Sequence, residues 1–511
     1  MVSHGLFMCL TFFIFLPMGL ALRSVKHPMH GLAVIGQWTC TVLGLACASL
    51  YRKLTPDMYP GQSHSGQGYV VLLIALTITS IDAAGLLHRV FNFLRARQFT
   101  FKGFCKAVTG HGDADRSKSS EYVGLMAEEV EMDSADDLKK HHRHSFEEAH
   151  FTPAFDHGNT EQWANHVRMN STVSDGTLFG PASPRSEATL HDVHLAPRPS
   201  LLRRVGMAVF ATAEWSLIFG GFAMFLTGLV IYTGGCRQNF VNGCLAHLIK
   251  GGIFWSYGLL TFARFLGFCS ELGWSWNRAP SSRYPTAEFV ESFVIFLYGA
   301  TNTWMERFGA NPGDPFTTKQ IQHIGIAVMF WFAGLIGMAV ESKTIRKWLA
   351  ALAVDTSESV AEPATYTSSF NPFPALVIGV TGSVMAAHFQ EYLFQVKIHA
   401  LWGNLLLAFA VMRCVTYFFL WVSPPSSTLP SRPPTEALAS FFLAAGGISF
   451  MFSTEEITFM AMRRGRDDIM LFVVMAVSIT CIGFCWTVWA VALQGWLKTR
   501  TKPAVSYHSA A

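Results

Sequence analysis

The chain has 511 residues, 51% of them hydrophobic and only 14% charged, with 43 Phe and 14 Trp. That composition belongs to a multi-spanning membrane protein and excludes a soluble globular enzyme. A net charge of +4 at pH 7 is too small to suggest nucleic acid as a partner.

Apolar windows of bilayer length predict about eleven spans. They fall near 5–22, 30–50, 68–93, 206–233, 245–270, 286–305, 323–341, 373–394, 400–422, 437–458 and 469–496. The expected fold is all-α, a polytopic transmembrane helical bundle with the lipid bilayer as its first partner. Pro17 and Gly19, with no small-residue cleavage site, mark Leu6–Leu22 as a span rather than a signal peptide.

In the first block, residues 1–108, histidines punctuate the span ends. His4 opens the first span, His30 the second, His64 just precedes the third and His88 closes it. Alternating spans put His4 with His64 on one membrane face and His30 with His88 on the other. Two imidazoles at one depth on neighbouring helices are what a haem needs, so these are candidate haem ligands.

Residues 109–204 are rich in Ser, Asp, Glu, His and Pro and predict a long disordered loop. Within it, His141, His142, Arg143 and His144 read as a solvated tract, Asn170-Ser171-Thr172 as a sequon and Ser183-Pro184-Arg185 as a phosphorylation candidate. Residues 205–498 form the second membrane region and 499–511 a cytoplasmic tail. Arg89, Arg95, Arg97, Lys102, Lys106, Arg203 and Arg204 flank the loop and place it in the cytoplasm. Alternation then puts Lys343, Arg346, Lys347, Lys498, Arg500 and Lys502 inside. Only Arg463, Arg464 and Arg466 dissent, beside Asp467 and Asp468. Cys236 and Cys244 bracket a short outer loop, where a disulfide is allowed.

The later spans carry a polar set on the same outer half. Gly382–Asn404 holds His388, Glu391, Gln395 and His399, which one continuous helix would gather within an arc of roughly 80°. His247, Glu306, His323, Glu455 and Glu456 lie at matching span ends. Imidazole and carboxylate together suit a divalent metal or a proton relay, with His323, His388, Glu391, His399 and Glu455 as the named set. Glu288 and Glu291, at the opposite face, read as N-terminal caps of the sixth span. No phosphate loop, nucleophile elbow, H-E-x-x-H zinc motif or flavin or nicotinamide domain is visible. Electrons would therefore come from a soluble donor or a partner.

Two resemblances follow from particular stretches. HGLFMCLTFFIFLPMG, HPMHGLAVIGQW and HSGQGYVVLLIALTITSIDAAGLLH resemble the His-initiated helices of cytochrome b-561-type membrane cores. That likeness implies His4 with His64 as one ligand pair for haem b. It also implies a partner for His30 opening the fourth helix, where GMAVFATAEWSLIFGG has no histidine. From about Arg203 to Leu497, stretches such as AHLIKGGIFWSYGLLTFARFLG, HALWGNLLLAFAVMRCVTYFFLW and LPSRPPTEALASFFLAAGG are similar to the fungal YTP-like integral membrane proteins. This second likeness implies fold and membrane location but brings no catalytic residues. The leading functional reading is transmembrane electron transfer of ferric-reductase type, a haem-dependent oxidoreductase. The alternatives are a proton- or metal-linked transporter at the outer His/Glu site, a metal-dependent hydrolase there, and a scaffold without chemistry. Plasma, secretory-pathway and mitochondrial membranes all accommodate such a chain.

Overall fold

A computed structural model describes residues 1–95 (apart from 26, 56–58 and 60), 201–237, 244–276, 284–305, 313–353, 369–387, 389–424 and 432–500, with isolated positions between. Among these residues there are helices and connections but no strand. Compactness divides the chain into Met1–Thr109 with Glu214–Ala511, and Gly110–Ala213. The first unit holds the bundle. The second lies outside the described residues up to position 200, so the tract, sequon and Ser-Pro site of the predicted loop cannot be placed on the fold.

The helices are α1 (Val2–Ser24, with a π-helical turn at Leu10–Phe15), α2 (His30–Leu54) and α3 (His64–Arg95). Then come α4 (Leu201–Thr233), α5 (Ala246–Phe265), α6 (Ala287–Met305), α7 (Thr318–Glu341) and α8 (Lys343–Ala350). The chain closes with α9 (Phe373–Ala386), α10 (Leu393–Val422), α11 (Pro434–Phe452), α12 (Glu455–Arg463) and α13 (Ile469–Thr499). α4 starts at Leu201, four residues inside the stretch read as loop.

Seven of these helices are long and apolar enough to cross a membrane, or eight if the bent pair 64–80 and 84–95 is one span. Among the described residues, that measure therefore supports seven or eight of the expected eleven. The other expected spans form helices that fall short of that measure: α5 carries His247, Lys250 and Arg264, α6 carries Glu288 and Glu291, and α9 has only 14 residues. The chain is a multi-pass integral membrane protein.

Gly382–Asn404 is not one helix. α9 ends at Ala386, and Tyr392 enters α10 in extended conformation. Phe389, Gln390 and Glu391 lie in the turn, and the two helices fold back on each other. Glycine permits this: a Cβ on Gly403 would meet the Gly382 carbonyl oxygen at 2.4 Å, and one on Gly382 the Gly403 carbonyl at 2.5 Å. The predicted polar stripe is therefore broken. Glu391 is exposed in the turn, Gln395 and His399 are buried on α10, and His388 lies outside the described residues.

α10 is the axis of the C-terminal half. It packs on α9 and α11 and buries Trp402, Leu406 and Phe409 completely, at 0% exposure. α5 packs on α11, and α6 on α7. The front helices join this core through α13. Leu497 packs with Ala21, Leu22 and Ala33, and the Trp486 indole N–H donates to the Phe13 carbonyl at 2.7 Å.

Candidate functional site

The structure brings His4 and His64 together. Their ring centres are 6.3 Å apart with planes at 88°. His4 Nδ1 donates to the Gly44 carbonyl on α2 at 2.9 Å. His64 Nδ1 lies 2.8 Å from Thr227 Oγ1 on α4. The Thr227 hydroxyl donates to the Met224 carbonyl, so its lone pair receives the His64 proton. Each ring is thereby oriented by its Nδ1, which leaves Nε2 as the lone-pair nitrogen. Gly228 clears the space for His64, since a Cβ there would stand 3.2 Å from the ring.

His30 and His88 are held elsewhere. His30 Nδ1 donates to the Gly19 carbonyl at 3.0 Å and lines a small cavity of about 20 Å³ with Arg23, Gln37, Thr79 and Glu214. Arg23 and Glu214 pair at 2.6 Å across it. Glu214 of α4 stands in the region where the b-561 likeness asked for a histidine. His88 is exposed, lies two and a half turns beyond Thr79 past a 55° bend, and accepts from Asn92 Nδ2 at 3.1 Å.

Of the expected outer metal or relay set, His399 meets His247. Their rings are 6.3 Å apart at 85°, packed by Trp402 and Phe450. His399 is 5% exposed and donates from Nδ1 to the Gln395 carbonyl. His323 is half-buried in the first turns of α7, Glu455 opens α12, and Glu306 lies outside the described residues. No three described His, Cys, Asp or Glu side chains are grouped to hold a metal ion.

Cys236 and Cys244 are joined as a disulfide, with Cα atoms 5.5 Å apart. The corner is fixed by Glu456 of α12, which accepts from the Cys236 backbone N–H, and by Tyr59, whose hydroxyl donates to the Gly235 carbonyl at 2.5 Å. Arg237 lies over the Tyr59 ring at 4.9 Å. Burial pushes the Tyr59 hydroxyl pKa up; Glu456 adds to the shift and Arg237 opposes it.

At the other end of the C-terminal half, Arg264, Glu288, Glu291, Arg413 and Glu436 form a buried ion network that the sequence reading did not assemble. Arg264 donates to Glu288 at 2.8 Å, to Glu291 at 2.6 Å and to the Trp274 carbonyl at 2.7 Å. Arg413 grips both Glu436 oxygens, at 2.8 and 2.7 Å, and reaches Glu291 at 3.5 Å. Both guanidiniums lie 4.8 Å from the centre of the Trp276 ring. Glu288 and Glu291 are thus more than helix caps. The missed signal was Arg413, a lone guanidinium inside an apolar run, which by default marks a functional position.

A family described as protein YTP1-like, C-terminal, matches residues 220–495, more than half of the 511-residue chain. The chain belongs to the YTP1-like family. Residues 1–86 match a domain of unknown function, DUF2427. The uncharacterized membrane protein C3B8.06 of Schizosaccharomyces pombe is 38% identical over 296 residues, covering 55% of this chain and 58% of that protein. In Saccharomyces cerevisiae, the uncharacterized membrane protein YCR061W is 36% identical over 276 residues (50% and 43% of the two chains). Protein YTP1 of the same yeast is 24% identical over 255 residues (50% and 48%). The chain thus spans about half the length of the curated relatives it matches. No solved structure matches it. The ion network and the His247–His399 pair fall within the YTP1-like region, while His4 and His64 fall within the DUF2427 match.

Proposed function

We propose that this YTP1-like protein is a membrane electron carrier in which His4 and His64 would hold one b-type haem. The observation that carries the reading is their 6.3 Å ring separation. That separation leaves room for one metal atom between two imidazoles, whose metal–nitrogen bonds are about 2 Å each. Both Nδ1 atoms are anchored, to Gly44 and to Thr227, and such hydrogen bonds orient ligating histidines and raise their basicity. A donor set of two imidazoles suits a metal that brings its other four ligands with it. Haem supplies a one-electron couple in such a site.

The chain's own contribution is position. His4 on α1 and His64 on α3 hold the centre toward the bundle end that carries the Cys236–Cys244 disulfide, an oxidising-side feature. Electrons would enter from a soluble donor on the opposite face and leave to a small oxidant or ferric complex. The Arg23–Glu214 pair beside His30 occupies the second site of the b-561 pattern with charge, which supports one haem rather than two. A reduced-minus-oxidised absorbance spectrum of the purified protein tests this. A b-type α band is expected, and a flat trace overturns it.

A second reading rests on the His247–His399 pair, which supports a proton- or metal-linked transporter. There His399→Gln should abolish coupled uptake in proteoliposomes while the protein stays folded. Unchanged uptake removes that reading.

A further inference from the structure

The ion network holds an unequal number of charges. Arg264 and Arg413 carry two positive charges, against three carboxylates on Glu288, Glu291 and Glu436. Four of the five are buried, with Arg413 1% and Glu436 0% exposed, and the Glu291 side chain is 10% exposed. Among the described residues, the neighbouring groups do not make up the difference. α7 adds another carboxylate, Glu341, which takes hydrogen bonds from Thr286 and Ser369 and has Arg346 of α8 at 3.7 Å. Tyr257 of α5 and Tyr417 of α10 are neutral hydroxyls beside Arg413. Cys269, in the connection after α5, is a thiol. Counting Glu341 and Arg346 leaves three cations against four anions, and the same single excess.

The second observation is Trp276. It is 3% exposed, its ring carries both guanidiniums, and its Nε1 has no acceptor among the described residues. Among the described residues, the charge of this site is left open by one and the Trp276 N–H is left without an acceptor.

We propose that the Arg264–Glu288–Glu291–Arg413–Glu436 network is a proton-binding site that holds one exchangeable proton on its carboxylates. A buried charge without a partner is costly, and a bound proton removes that cost. A metal cation fits less well, because both oxygens of Glu436 and of Glu291 are already taken by guanidinium donors. Glu288 is left with one oxygen outside those pairs. The proton is held loosely enough to exchange. Glu288 and Glu436 sit in the first turns of α6 and α11, where the helix termini favour the anion. The proposal does not depend on haem.

Infrared spectroscopy of the full-length protein in proteoliposomes tests it. At neutral pH the wild type should show a carboxylic-acid C=O band that shifts on exchange into D2O. Glu288→Gln and Glu436→Gln each restore two charges against two, and each should remove one carboxyl's worth of that band. Arg264→Gln leaves one cation against three carboxylates and should increase it by one or more. A wild type without an exchangeable carboxylic-acid band overturns the proposal even if no variant folds. A band unchanged in both folded Gln variants overturns it equally.

Discussion

Arg413 of α10 and Glu436 of α11 meet at two points, with Nε on Oε2 at 2.8 Å and Nη2 on Oε1 at 2.7 Å, both side chains shut away from solvent. The fork-to-fork geometry fixes the rotation of one helix against the other. It lies about 21 Å along α10 from His399, so the bundle has imidazoles toward one end and its ion network toward the other.

Breaking this pair from one side should be costly. Arg413→Leu leaves Glu436 buried without its cation and should destabilise the detergent-solubilised protein by about 3–5 kcal/mol. Arg413→Leu with Glu436→Leu should recover most of that loss, because a buried pair gains little over apolar residues of similar volume. Thermal denaturation of the three proteins checks it. A double variant no more stable than Arg413→Leu would show that the pair does more than satisfy itself.

The α9–α10 turn makes a steric prediction. Gly403→Val places a side chain where even a Cβ stands 2.4 Å from the Gly382 carbonyl oxygen, a backbone atom that cannot step aside. Destabilisation at or beyond the upper end of the usual overpacking range, about 3 kcal/mol, is expected. Gly5→Ala meets nothing within 4 Å and should be near neutral. Expression level and melting temperature of the two variants read this directly.

Cys269, in the connection after α5, is pushed up to about 12 by burial, with Glu271 adding and Arg264 and Lys498 opposing. Its folded pKa lies above that of a free thiol, about 8.5. The stability it contributes is therefore fully present below that value and declines as pH rises toward the folded pKa. Since the thiolate is the reactive form, alkylation at pH 9 should run at least about ten-fold slower at Cys269 in the folded protein than in denaturant. Peptide mapping after iodoacetamide treatment measures the ratio. Equal rates would mean the thiol is not held in its neutral form.

The class of the fold was legible because hydrophobic runs announce themselves. Which runs end early was not. Gly382–Asn404 has a helical spacing of polar residues, yet the packing of Gly382 on Gly403 requires a turn between them. Spacing along one helix cannot report a contact between two. That His4 and His64 lie side by side was legible because each opens a helix and alternation puts them on one face. His30 and His88 met the same rule, but His88 projects beyond a bend and His30 faces an Arg–Glu pair. The ion network was missed for the opposite reason. Its five members lie on α5, α6, α10 and α11, and the sequence separation between Glu291 and Arg413 is 122 residues. A lone arginine within LLLAFAVMRCVTYFF, weighed for what it costs there, was the available sign.

The most direct test is haem content per chain in purified wild type and in four single variants, His4→Ala, His64→Ala, His30→Ala and His88→Ala. One haem per chain is expected in the wild type, lost in the first two variants and retained in the last two. A wild type that carries none, or one whose haem survives the loss of both His4 and His64, would contradict the pairing on which the electron-transfer account stands.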